Sequence, residues 1–334
     1  MLYITSESQI RPRACKAKST ENGVRCKMRE NHLLVIDGMA LLFRAFYATS
    51  IRKHFMFNSK GVPTNAVQGY LRHILSAVEA ASPSHITVCW DMGSKTYRND
   101  IFPDYKSNRE APPLELIPQF DFAKEATHAF AIPNIGVSGY EADDCIGTIC
   151  SKNRHNAKMT VLTGDRDLLQ VIDESVDVWL LQKGIGNYAK YTKETFQEMY
   201  QLDPHQLIDV KALMGDASDG YPGVKGIGEK TALTLIRRFG SIETLLENLA
   251  DVTPSQRAKI ETHLELLHIS RELAAINCST PFQFDFEKTY WNDIPRSAFD
   301  YVDEHELNVV QRQLRILKKD FDHPFTDREL TKSN

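Results

Sequence analysis

His32-Leu33-Leu34-Val35-Ile36-Asp37-Gly38 has only apolar residues between its histidine and its aspartate. An unbroken apolar run this short suits a strand buried on both faces of a parallel sheet; a strand with one wet face would alternate. A helix-like stretch over 39–47 follows at once. The device returns twice, as His85-Ile86-Thr87-Val88-Cys89-Trp90 running into Asp91 and as Met159-Thr160-Val161-Leu162-Thr163-Gly164 running into Asp165-Arg166-Asp167. Helical patterns over 65–80 and 116–130 lie between. The order strand, helix, strand, helix, helix, strand predicts a doubly wound α/β layout with a mostly parallel sheet, whose ligands sit at the carboxyl ends of the strands. A single aspartate there is usually a turn former. Three such ends, each carrying one, predict convergence.

A fourth acidic element is Gly139-Tyr140-Glu141-Ala142-Asp143-Asp144-Cys145-Ile146. Glu141 is expected to start a helix, with Asp143 and Asp144 in its first turn, where the helix dipole favours negative charge. By itself this fits either an ordinary acidic helix start or a metal nest. Gly215-Asp216-Ala217-Ser218-Asp219 adds two more acids. The candidate set is therefore Asp37, Asp91, Glu141, Asp143, Asp144, Asp165, Asp167, Asp216 and Asp219. Hard oxygen ligands without histidine or cysteine suit Mg2+ or Mn2+ and argue against zinc. Nine exceed the needs of one ion and suit two, about 4 Å apart, as in phosphodiester hydrolysis.

Composition sets wide limits. The chain has 334 residues, 42% apolar and 25% charged, with a net charge of −4, which predicts about two globular domains. That charge neither announces nor excludes a nucleic-acid partner. Six cysteines show no zinc-ligand spacing, and Cys89, Cys145 and Cys150, in apolar contexts, read as reduced core thiols of a cytosolic protein. No apolar run is long enough for a membrane span. Residues 1–30 are basic without apolar periodicity, and we expect a disordered arm or a start codon placed too early, with Met28 as the initiator.

Val176–Leu181 reads as a further strand and Tyr188–Tyr191 as its return. Beyond them the pattern is helical, over 193–200, 204–214, 229–239, 241–249 and 254–269, which places a domain boundary near 193 and a helical domain over 193–330. Within it, Pro222-Gly223-Val224-Lys225-Gly226-Ile227-Gly228-Glu229-Lys230-Thr231 has the glycines of a tight hairpin before a helix. Such a hairpin either simply connects two helices or brings backbone N–H groups to a phosphate. No strand precedes it and no G-K-[ST] completes it, so an ATP site is excluded. Between Asp91 and Glu141, basic and aromatic residues interleave: Lys95, Tyr97, Arg98, Phe102, Tyr105, Lys106 and Arg109. This suits either a tracked single strand or a solvated loop.

Together, Val35-Ile36-Asp37-Gly38, Trp90-Asp91, Tyr105-Lys106-Ser107-Asn108-Arg109, the acidic 139–144 and 163–168 segments, and 215–219 running into 222–232 resemble the 5′-nuclease family of 5′-3′ exonucleases and flap endonucleases. The likeness covers residues 33 to at least 249. Because no polymerase sequence follows, the stand-alone bacterial members are the expected counterpart. The resemblance implies a PIN-like α/β nuclease core over 31–192, a helical arch over about 95–125 that admits a 5′ single strand, and a helix-hairpin-helix-like element in the second domain. It implies that Asp37, Asp91, Glu141 and Asp143, with Asp144 beside them, surround one ion, and that Asp165, Asp167, Asp216 and Asp219 surround a second. Lys106, Arg98 and Arg109 are implied to meet the scissile phosphate. Gly223, Lys225, Gly226, Gly228, Lys230, Thr231 and Tyr105 are implied DNA contacts, with K+ on the hairpin carbonyls. Gly220-Tyr221 departs from the family pattern, from which we expect a local turn change without loss of Asp216 or Asp219.

The implied reaction is Mg2+-dependent hydrolysis near the 5′ end of duplex, nicked, flapped or RNA-primed DNA in replication and repair. It is expected of a monomer in the bacterial cytoplasm, near the nucleoid. Two alternatives stay open: a single-strand ribonuclease on a related acidic fold, and a DNA-structure-binding protein without catalysis.

Overall fold

The computed structural model describes residues 31–50 and 55–322, with side chains as far as 317. The expectation for residues 1–30 lies outside the described residues. The sheet contains β1 (His32–Asp37), β2 (His85–Cys89), β3 (Asn134–Ile135), β4 (Lys158–Thr163), β5 (Val176–Leu181) and β6 (Tyr188–Tyr191), in the order β3-β2-β1-β4-β5-β6. All neighbours are parallel except β5 and β6. From β1 the chain runs outward to β2 and β3, then returns to the other side of β1 as β4. The order therefore reverses between β1 and β4, the place where open α/β sheets bind ligands. The two-residue β3 is too short to carry a periodic signal.

Alternate residues of β1 feed two cores, as the pleat requires. Leu34 and Ile36 join one core, with α1 (Gly38–Thr49), α2 (Asn65–Ala81) and α4 (Ile117–Ala129). Leu33 and Val35 join the other, with α5 (Ala142–Asn153) and much of the helical second half. All four side chains are fully buried, worth about 1.5–3 kcal/mol each. A break in this strand would therefore unseat both layers.

The segment expected as an arch is helical only at α3 (Tyr97–Ile101) and from α4 onward. Between them the chain turns back onto the second half: Lys106 N donates to Asp219 O at 2.7 Å, and Asn108 Nδ2 to Ala217 O at 2.7 Å. α4 packs on α2. The expectation of a helical arch over 95–125 is thus corrected to an anchored rim loop, because its backbone finds partners in 217–219.

The second half comprises α6 (Lys193–Tyr200), α7 (Leu207–Met214), α8 (Glu229–Phe239), α9 (Ile242–Glu247), α10 (Pro254–Thr262) and α11 (Leu264–Ala274). The helix expected over 254–269 is broken. His263 leaves helical geometry (φ −115°, ψ 25°), and its Nδ1 lies 2.8 Å from the Lys259 carbonyl, a side-chain bond that competes with the backbone ladder. The expectation of one helical domain to residue 330 also fails. Trp291, α12 (Arg296–Glu304) and α13 (Asn308–Asp322) return to the first half. There Ala298, Val302, Leu307, Val310 and Leu314 fill the core beside α2 and α4. Among the described residues no helix is long and apolar enough to cross a membrane.

Candidate active site

Asp37 ends β1 and caps α1. One carboxylate oxygen accepts from Ala40 N at 2.9 Å, and the other from Thr163 Oγ1, at the end of β4, at 2.7 Å. The switch point is thereby closed by a hydrogen bond. Gly38 is required because a Cβ there would lie 2.8 Å from the Trp90 ring. That close approach brings the end of β1 against the end of β2 and Asp91. Asp91 Oδ1 in turn accepts from Ala142 N at 2.7 Å, which ties β2 to the start of α5. Asp165 lies two residues past β4, its Oδ1 accepting from Asp167 N at 2.8 Å.

Asp37, Asp91, Asp143 and Asp165 have no ion pair among the described residues. Burial, reinforced by Asp91 and Asp165, pushes the Asp37 carboxyl up to about 7 despite its two hydrogen bonds. Desolvation, then Asp165, Asp37 and Glu141, holds Asp143 well above the usual carboxylate range, with Lys106 opposing. These acids crowd one another, and none of them has an ion-pair partner among the described residues.

The other candidates are already matched with cations. Lys106 Nζ donates to Glu141 Oε1 at 2.8 Å and lies 4.0 Å from Asp219. Arg109 Nη2 meets Asp219 Oδ1 at 2.6 Å. Lys106 adopts a left-handed backbone (φ 56°), unusual for a side chain of this size, held by its bond to Asp219 O. Charge pairing thus sorts the acids differently from the two ligand sets that the resemblance implies.

Three expectations are corrected by burial. Asp144 is fully buried and already paired: both its oxygens meet Arg98 at 2.8 Å, and it also accepts from Glu141 N and Asn277 N. Arg98, also buried, gives two further donors to Leu273 O and Ala275 O. It therefore braces the site from within the fold, and its Nη1 also lies 3.5 Å from Glu141 Oε2. Tyr105 is 3% exposed; it donates to Asp219 and Glu141 and stacks on Tyr221, so it offers no platform to a base.

Lys211, on α7, escapes motif reading. Its Nζ lies 2.5 Å from Asp167 Oδ1 and also meets Asp216 Oδ2. Burial and Asp165 raise Asp167 to about 6 despite Lys211. Asp216 is more open, so its bonds from Lys211 and Ser218 outweigh burial and lower it to about 2. The place of Lys211 in the last turn of α7 carried no signal beyond an ordinary helix terminus. Lys211→Ala leaves two acids without their cation and is expected to destabilise the protein by about 1–3 kcal/mol at pH 7. Urea denaturation checks this, and unchanged stability would remove Lys211 from the site.

The hairpin follows α7. Gly215 and Gly223 cross so closely that a Cβ on Gly223 would lie 2.2 Å from Gly215 N, and both have positive φ. Gly223 is buried, and its N–H donates to Ser270 Oγ at 3.1 Å. The implied DNA contact at Gly223 is thus corrected to a backbone crossing. Val224 and Ile227 anchor the turn, while Lys225, Gly226, Gly228 and Lys230 are exposed and Thr231 half-buried. The Gly226 carbonyl accepts from Lys259 Nζ at 3.0 Å. The Gly220-Tyr221 departure closes normally: Asp216 N donates to Tyr221 O at 2.9 Å, with Gly220 at φ 80°.

The architecture is that of known nuclease structures. T5 5′-exonuclease with zinc bound aligns with a TM-score of 0.62 at 21% identity, over 86% of this chain and 99% of that one. The catalytic core of Rad2 with DNA substrate aligns at 0.57 and 14%, over 87% and 92%. Residues 32–201 match the family model described as the 5′-3′ exonuclease N-terminal resolvase-like domain, and 202–297 that of the 5′-3′ exonuclease C-terminal SAM fold. A 5′-3′ exonuclease of Bacillus subtilis (strain 168) is 55% identical over 290 residues, 87% of this chain and 98% of that protein. DNA polymerase I of the same strain is 39% identical over 75% of this chain but only 28% of the polymerase. The chain belongs to the 5′-3′ exonuclease and flap endonuclease family, and is a nuclease of that family.

Proposed function

We propose that this chain hydrolyses phosphodiester bonds at or near the 5′ end of duplex, nicked or flapped DNA, RNA-primed ends included, in a reaction that requires Mg2+ and accepts Mn2+. The carrying observation is the set of four acids at the sheet's switch point without a cationic partner. Such a set fits a divalent ion, and Asp37, Asp91, Asp143 and Asp165 would hold it. A second ion would draw on Glu141, Asp167, Asp216 and Asp219. Among the described residues no three acids form a ready ligand cage, so these groups must exchange their present partners. When bound, the ions polarise the phosphate and supply a nucleophile at neutral pH.

The chain's own residues supply the remaining work. Lys106 and Arg109 sit on the rim, where their charge opposes the negative charge growing on the phosphate. Lys225, Lys230 and the exposed backbone of Gly226 and Gly228 grip duplex phosphates without reading sequence. K+ on this hairpin would compete with the Lys259 ammonium for the Gly226 carbonyl. We take the protein to act as a monomer in the bacterial cytoplasm, at the nucleoid.

Product analysis on matched 5′-flap, nicked and blunt duplexes with Mg2+ tests the proposal. Products with 5′-phosphate ends are expected from structured DNA, with little cleavage of unstructured RNA. The reverse preference would support the ribonuclease reading. No cleavage of any substrate would support a silent binder.

A stability prediction accompanies it. Asp37 and Asp167 have folded-state pKa values of about 7 and about 6, above their ordinary 3.8. Their contribution is complete below about pH 4 and is lost as pH rises through 6 to 7. In a chelator, the melting temperature should therefore fall between about pH 4 and pH 7, and Mg2+ should reverse the fall. A flat profile, or one that Mg2+ does not move, would contradict the assignment.

A further inference from the structure

A cavity of about 530 Å3 lies away from the acidic cleft, between α1 and α2 and beside the turn after β5. Its lining includes the apolar Ala48, Met56 and Val309 and the cationic Arg44, Arg72 and Lys183, and among the described residues no carboxylate lines it. His73 also lines it. This histidine is 3% exposed, and among the described residues its Nδ1 has no hydrogen-bond partner. A buried polar atom left unpaired costs about 1–3 kcal/mol, a cost that a ligand able to pair with it would remove. Burial, with Arg44 and Arg72 close by, lowers this imidazole to about 4. It is neutral at pH 7 and keeps one N–H to donate.

The walls are fixed in advance. Gly69 lets the two helices touch, since a Cβ there would lie 2.7 Å from that of Ala45. Val309 N donates to Gln68 Oε1 at 2.8 Å, and Asn65 Nδ2 to Thr49 Oγ1 at 2.8 Å. Arg44 Nη2 is tethered to Leu181 O at 3.1 Å, and Arg72 has no ion pair among the described residues. Arg44 lies seven positions after Asp37 along α1, about 10 Å along the axis. The size suits a small organic ligand, and a lining that joins cationic to apolar side chains suits one with an anionic group and an apolar part.

We propose that this cavity binds a phosphorylated nucleotide, its phosphate toward Arg44, Arg72, Lys183 and His73 and its base toward Met56 and Ala48. The nucleotide is either a free nucleoside monophosphate or the terminal nucleotide of a strand. This goes beyond the proposed hydrolysis and is tested without it.

Calorimetric titration of the full chain with dAMP, in a chelator, reads the binding directly. Without divalent ions the acidic cleft repels anions. Saturable binding is expected, with deoxyadenosine at least about tenfold weaker. The Arg72→Ala/Lys183→Ala variant, altered at two side chains that make no hydrogen bond or ion pair among the described residues, should melt as wild type does and lose at least about tenfold in dAMP affinity. Competition by a short 5′-phosphorylated oligonucleotide would assign the site to a strand end, and absence of competition to free nucleotide. No saturable binding, or equal affinity in the double variant, overturns the proposal.

Discussion

Asp143→Asn protein, given Mg2+ and a 5′-flap duplex, is expected to cleave at least about 10³-fold more slowly than wild type while binding the duplex within a factor of a few. Asparagine keeps the shape of the side chain and removes its charge. In wild type that charge is held beside Asp165, Asp37 and Glu141 without an ion pair. The same substitution should raise the melting temperature in a chelator, because it removes a carboxylate whose ionised form burial and the neighbouring Asp165, Asp37 and Glu141 disfavour in the fold. Loss of activity together with a gain in stability marks a group kept for ligation. Wild-type activity in the variant, or a loss of stability, would contradict that role.

Arg98→Ala is expected to destabilise the fold by about 3–5 kcal/mol, because it strands the Asp144 carboxylate in a fully buried place and frees two carbonyls as well. Both ends of this brace are structural: Asp144 lies in the first turn of α5, and Leu273 and Ala275 lie at the end of α11 and just past it. Breaking it should loosen the second half from the site. Replacing both partners with apolar residues, as Arg98→Met with Asp144→Leu, should recover part of the loss, since no buried charge is then left alone. Urea unfolding of the three proteins checks this. If Arg98 instead met the scissile phosphate, Arg98→Ala would slow cleavage and leave stability unchanged.

The strands β1, β2 and β4 were legible because each is an unbroken apolar run with an acid at its end, and Asp37 and Asp91 occupy the cleft that such ends predict. Which acids lack a cation was not legible. Lys211 sits in an ordinary helical pattern, and only the fold brings it to Asp167 and Asp216. Arg98 read as a surface cation of a basic loop, since nothing in its neighbours announces that α11 will bury it. Tyr105 misled for the same reason. The return of α12 and α13 to the first core was hidden because an amphipathic helix shows that it has an apolar face without showing what covers it. His263 breaks a helical pattern through a side-chain bond that periodicity cannot register.

Uptake of Mn2+, followed by the loss of the free ion's electron paramagnetic resonance signal, addresses the acidic cleft itself. The wild-type chain should take up Mn2+ saturably, and Asp37→Asn with Asp143→Asn should abolish that uptake while the protein stays folded. Equal uptake by the double variant, or none by wild type, would mean that these acids do not hold a divalent ion.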